Sequence, residues 1–253
     1  MIPNRQNSLR RIRLSSHIFS TASIQESEAS IALHAAASSG TLDKIPKVWL
    51  TASKLRIQNK TGETVLAVAA KHGHLDQIPA KFLTSSNLLV PNQHGHTAFH
   101  QAADSGHLNQ FPIKLLTSAN LLKRNYWGGT TLHMAVAKGH LDQIPKKLLT
   151  IVNLLKRTRT GDTIIHRAAS TNHLHHTPKQ YITEANLLME NSERQTPLHL
   201  LMRFGAPDQL HDVELSPAVV PIVGDEWYSR YLERKKSLDT LEPAVNTNEL
   251  DMF

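Results

Sequence analysis

One spacing, thirty-three residues, constrains this chain more than any other feature. His34, His100, His133, His166 and His199 stand on a single grid of that period, with Ala67 in the remaining slot. Three residues before the slot come Thr64, Thr97, Thr130, Thr163 and Thr196, and directly before it Leu33, Leu66, Phe99, Leu132, Ile165 and Leu198. Six residues after it stand Gly40, Gly73, Gly106, Gly139, Asn172 and Gly205. Self-similarity of this kind means a stacked array of small units, each unable to bury its apolar side alone.

Within one unit, Thr is placed to cap a short helix, and Gly or Asn supplies the left-handed residue that stops it. Leu42, Leu75, Leu108, Leu141 and Leu174 follow the turn, then Ile45, Ile78, Phe111 and Ile144. Their spacing predicts a second helix, antiparallel to the first, with Asp43, Asp76, Asp142 or Asp208 near its start. Pro46, Pro79, Pro112, Pro145 and Pro178 fall inside that segment, so its helix is expected to start late, near Asp76 or Asp142. The stretch Thr84-Ser85-Ser86-Asn87-Leu88-Leu89, with equivalents at Thr117, Thr150 and Thr183, predicts a short extra helical turn capped by Thr. Gly62, Gly95, Gly128 and Gly161 mark a turn between units.

The runs Thr97-Ala98-Phe99-His100-Gln101-Ala102-Ala103, Thr130-Thr131-Leu132-His133-Met134-Ala135, Thr196-Pro197-Leu198-His199 and Gly139-His140-Leu141 resemble the ankyrin repeat family. The resemblance extends over residues 28–211, and the regular Gly-His-Leu-Asp-Gln-Ile-Pro units look like those of bacterial ankyrin proteins. It implies an all-α, helix-turn-helix solenoid of about six repeats with a C-terminal cap. It also implies a non-enzymatic scaffold that holds a protein partner on a concave face, built from the first helices and the turns before them. The Thr-x-Leu-His histidines are then structural, tying one repeat to its neighbour's backbone. The prolines and the missing Gly-Ala after the second helix depart from the family pattern, and put its projecting fingers in doubt.

Composition narrows the function classes. The 253 residues contain no cysteine, which excludes disulfides, a thiol nucleophile and cysteine-ligated zinc. No apolar run approaches the ~20 residues that span a bilayer. Residues 1–27 carry Arg5, Arg10, Arg11 and Arg13 among serines; a disordered basic tail is favoured over an organellar transit peptide. The net charge of +7 is uneven, +12 over residues 1–195 and −5 over 196–253. A nucleic-acid or anionic-surface binder is the first alternative function, but the basic residues are dispersed and form no stripe. A monomer needing no cofactor, and a cytoplasmic location, are expected; delivery into a host cell is the alternative by analogy with bacterial ankyrin proteins.

Sixteen histidines raise a metal reading, above all His173, His175 and His176. No carboxylate or thiolate lies beside them to complete a zinc site, so a metal-dependent enzyme is the weaker alternative. Nucleophile elbow, Walker loop, dinucleotide fingerprint and H-E-x-x-H are all missing. The slot after the histidine varies freely through Ala35, Val68, Gln101, Met134, Arg167 and Leu200, as an exposed binding surface would. Tyr126 and Trp127 precede one repeat and have no counterpart in the others. With Gln101, Asp104, Met134, Lys138, Arg159 and Arg167 they form the candidate partner-binding patch. The opposing reading has the aromatic pair packing over the next turn.

Past Gly205 the pattern fades, and residues 212–253 are expected to end the array. Val213 to Val223 would cover the last apolar face in extended form, and Glu226 to Leu238 would form a short amphipathic helix. That helix is expected to dock as a cap, the competing use being a helical peptide for a partner's groove. The last five residues, Glu249 to Phe253, mix acidic and apolar side chains as a short recognition tail does.

Overall fold

A computed structural model describes residues 24–204, 207–210 and 213–241. The expected basic tail and the acidic recognition tail therefore lie outside the described residues for most of their length. The chain divides into two compact units, 1–116 and 117–253. The first contains helices α1 (Ile24–Ser39), α2 (Val65–His72) and α3 (Ala98–Ser105), packed α1 on α2 and α2 on α3. The second contains α4 (Thr131–Ala137), α5 (Ile164–Ser170), α6 (Pro197–Arg203) and α7 (Asp225–Leu241), with α5 packed on both α4 and α6. Among the described residues there is no strand, only an isolated antiparallel bridge between Gln58 and Thr64.

The first helix of each repeat forms as its sequence predicts. Thr97, Thr130, Thr163 and Thr196 each build a capping box with the histidine three residues on, and Gly73 and Gly106 end their helices at φ 76° and 77°. These helices are only seven or eight residues long after α1, too short to be stable alone, so burial holds them. Leu66, Phe99, Leu132, Ile165 and Leu198 are completely buried.

The predicted second helix does not exist. Two three-residue 3-10 turns replace it, for example Leu75–Gln77 and Ala80–Phe82, with Pro79 between them at φ −55°, ψ 128°. Proline lacks the N–H that a continuing helix needs, and its ring drives the preceding Ile78 to an extended ψ of 128°. The same break recurs at Pro46, Pro112, Pro145 and Pro178. A late helix start near Asp76 or Asp142 is thus corrected to no second α-helix at all. The extra turn is present: Thr51, Thr84, Thr117, Thr150 and Thr183 each cap a four-residue helix, accepting a hydrogen bond from the N–H three residues on. Its last residue, Leu55, Leu88, Leu121, Leu154 or Leu187, is fully buried.

A column of amides joins successive repeats. Gln77 Oε1 accepts from Leu42 N at 2.9 Å while its Nε2 donates to the Gly40 carbonyl at 3.0 Å. Gln110 makes the same pair with Leu75 N and the Gly73 carbonyl. Replacing Gln77 with Leu strands one donor and one acceptor at a helix end. A loss of about 2 kcal/mol in urea unfolding is expected, and an unchanged midpoint would refute this role.

Thr177 occupies the column of Ile78, Phe111 and Ile144, is 2 % exposed, and has no hydrogen-bond partner for its hydroxyl. Thr177→Val keeps the shape and removes the stranded group. We expect about 1 kcal/mol of added stability, read as a higher urea midpoint with the same slope.

Residues 213–223 are not extended. They form a 3-10 turn (Pro217–Val219) and one helical turn (Val220–Val223), packed against α6, with Val213, Leu215, Val219 and Val223 buried. Helix α7 lies on this segment through Tyr231, which is buried and donates to the Val213 carbonyl while accepting from Leu215 N. Tyr228 donates to the Leu215 carbonyl at 3.0 Å. Glu184 receives both the N–H and the hydroxyl of Ser216 at 2.7 Å, and these bonds hold its carboxyl below the usual carboxylate range.

Candidate functional site

The turn before α4 builds the most exposed aromatic feature of the second unit. Asn125 Oδ1 accepts from Trp127 N at 3.0 Å and from Gly129 N at 2.9 Å, and Asn125 N donates to the Gly129 carbonyl at 2.8 Å. Gly128, at φ 78°, closes the turn. Asn59 and Asn92 fold equivalent turns, so the fingers that the sequence put in doubt are present as tight Asn-Gly turns. At other tips the side chain takes part in the turn, as Thr61 does by donating to Asn59 Oδ1 at 2.7 Å and Gln93 by donating to the Lys60 carbonyl at 2.9 Å.

Tyr126 and Trp127 fill those tip positions and are 54 % and 55 % exposed. The Trp127 carbonyl accepts from Arg159 N at 2.9 Å, and the stem of Arg159 crosses Gly128, leaving its guanidinium end exposed. Arg124 and Arg157 have a different role: Arg124 donates to the Arg157 carbonyl at 2.9 Å, and Arg157 to the Gly161 and Glu190 carbonyls. Arg167 is exposed on α5, Lys138 is exposed at the end of α4, and Met134 is half-buried. Among the described residues neither Arg159 nor Arg167 has an ion-pair partner.

Gln101 and Asp104 belong to α3 in the first unit, and the other six candidates belong to the second. Gln101 is buried and donates to Glu63 Oε1 at 3.0 Å, so its amide serves the fold. The slot it occupies is not uniformly exposed, since Val68 and Leu200 are buried as well. Variation along that column reflects both packing and surface.

In the Thr-x-Leu-His column His100, His133 and His166 are interior, His34 is half-buried and His199 is exposed. His100, His133 and His166 are at most 2 % exposed, and Nδ1 of each accepts from its cap threonine's N–H at 3.2 Å. Nε2 of His34 and His166 reaches the next repeat at the carbonyls of Glu63 and Gln195, 3.0 and 3.2 Å away, and Nε2 of His133 reaches the Lys156 carbonyl at 3.1 Å. Burial pushes His133 down to about 4 and lowers His166 as well. His175 and His176 lie with ring centres 4.1 Å apart at the lip of a groove of about 570 Å³ between the 141–149 and 175–180 segments. Partial burial and the neighbouring imidazoles lower His176. Among the described residues no group of three or more His, Asp and Glu side chains could hold a metal ion.

A second histidine column was not assigned a role from sequence. His74 and His107 lay their rings over Gly40 and Gly73 of the preceding repeat, within 2.7–2.8 Å of where a Cβ would stand, and His173 covers Gly139. In the remaining slot Asn172 takes the left-handed turn at φ 62°, and the corresponding lid position in the sequence is Ala206, with no ring. Only the pairing of these two columns could have revealed it.

Residues 33–121 match a family model for ankyrin repeats, in three copies. That segment carries ankyrin repeats. No curated protein matches it. The same Thr–His boxes, glycine turns and proline breaks continue through residues 130–203, beyond the matched segment. Ankyrin repeats are in general protein-interaction modules. No described helix is long and apolar enough to cross a membrane.

Proposed function

We propose that the chain is a non-enzymatic ankyrin scaffold, cytoplasmic and monomeric, that binds a protein partner through the finger turns and exposed first-helix positions of its second unit. Tyr126 and Trp127 are the anchors, with Arg159, Arg167, Lys138 and Met134 around them. The observation that carries this is the exposure of both aromatic rings on a turn that is closed by the Asn125 side-chain oxygen, accepting from Trp127 N and Gly129 N, and by Gly128. Large rings held on a rigid turn lose little conformational entropy on binding, which suits them as interface anchors. The 212–253 segment is read as the end cap, with Val213 to Val223 shielding α6.

The test is affinity capture on the immobilised chain, with the Tyr126→Ala, Trp127→Ala double variant as control. Retained proteins should be lost on the double variant, while its melting temperature stays within about 2 °C because neither ring is in the core. Equal retention by both proteins would remove the aromatic pair from the site. A fall of many degrees would mean that the rings stabilise the fold.

A further inference from the structure

The order of side chains along the finger tips specifies a ligand. At the tip position of Tyr126, successive repeats present Arg159 and then Ser192; at that of Trp127 they present Thr160 and then Glu193. All six are exposed. The fingers are joined directly, Arg159 N to the Trp127 carbonyl at 2.9 Å and Ser192 N to the Thr160 carbonyl at 3.0 Å, so their order is fixed. A ligand lying across them meets an aromatic pair, then a cation, then an anion. Among the described residues Arg159 and Glu193 have no ion-pair partner.

Stacked helical repeats advance by about 10 Å. A polyproline II chain has three residues per turn and rises about 3.1 Å per residue, so its side chains i, i+3 and i+6 return to one face every ~9 Å. A β-strand turns every second side chain away and cannot present all three. The polyproline form is also partly preordered before binding, and its apolar rungs pack on exposed tyrosine and tryptophan faces.

We propose, building on the scaffold reading above, that the fingers of the second unit bind a polyproline II peptide segment of a partner. The segment carries Pro or an aliphatic residue against Tyr126 and Trp127, a carboxylate three residues away against Arg159, and a basic residue three further on against Glu193. The chemistry favours this over single-stranded nucleic acid. Bases could stack on the rings and one phosphate could meet Arg159, but a polyanion continuing along the fingers runs into Glu193. Arg124 and Arg157 are held on carbonyls, and Arg194, exposed beside Glu193, is the single further arginine of these fingers.

A selection of random nonapeptides displayed on phage tests it, run on the full chain and on Arg159→Glu. On the wild type, Pro or aliphatic residues should be enriched with Asp or Glu three positions away, about fivefold over the library. On Arg159→Glu the apolar preference should persist while the preference three positions away inverts to Lys or Arg. An acidic preference that survives Arg159→Glu, or no spaced preference at all, overturns the proposal. Labelled oligouridylate, followed by anisotropy, supplies the other arm: tighter binding than the selected peptide, lost in Trp127→Ala, also overturns it. The capture experiment separates the two readings, because a protein held by the wild type and lost on the aromatic double variant keeps the scaffold reading even when the peptide spacing fails.

Discussion

Lowering the pH from 7 to 4.5 should weaken this fold by several kcal/mol before most carboxylates titrate. His133 is the main source. Its Nδ1 accepts from Thr130 N–H, and its Nε2–H can donate to the Lys156 carbonyl, so the folded state holds the neutral ring. Burial lowers its pKa to about 4 from an unfolded value of 6.5. The unfolded chain therefore takes up the proton first as pH falls. The contribution is complete above about pH 6.5 and disappears progressively towards pH 4, about 3 kcal/mol for this residue alone. His166 is shifted in the same direction by the same cause and adds to the slope. Urea unfolding at pH 7, 6, 5 and 4.5 measures it. His133→Leu should be less stable at pH 7 yet show a shallower decline; a flat profile in the parent protein would sink the argument.

Gly161→Ala should be among the most damaging single substitutions available, costing about 3 kcal/mol. The residue sits at φ 79°, where an L side chain is strained by about 1–2 kcal/mol. Its new Cβ would also stand 2.8 Å from Ser192 N and 2.9 Å from Ser192 Oγ, and the backbone atom cannot swing aside. Arg194 holds the same position one repeat later at φ 57° and carries a side chain, with no further finger of this kind among the described residues. Arg194→Gly is accordingly expected to change stability by less than about 1 kcal/mol. A similar cost for both substitutions would show that strain alone, and not the neighbouring finger, makes Gly161 necessary.

How far residues alone reveal this molecule differs from element to element. The Thr–His boxes and the glycine stops are local chemistry, so the period exposed them. The second half of each repeat was misread because the apolar spacing of Leu75, Ile78 and Leu83 is compatible with a helix, whereas Pro79 splits it into two 3-10 turns. Gln77 and Gln110 appeared only as letters in a repeated word. Their partners lie one repeat back, which no within-repeat pattern displays. At the site, Tyr126 and Trp127 were legible as an anomaly in an otherwise regular column. Gln101 was not, because an amide bound to Glu63 reads in sequence like one facing water.

Arg194 also bears on stacking between copies of such a chain. Units that stack head to tail form an open-ended contact, and nothing in the symmetry stops a second molecule from adding to the end and a third to that, as in a filament. An incoming finger would need its backbone N–H about where the Cβ of Arg194 stands, as Ser192 N shows for Gly161. We expect the last described finger to reject an incoming chain through one side chain in a left-handed turn, while Val219 and Val223 lie beneath α7 and α6 on the same unit. Earlier in the same column, at Gly62, Gly128 and Gly161, a side chain would meet the next finger's backbone at 2.8 Å.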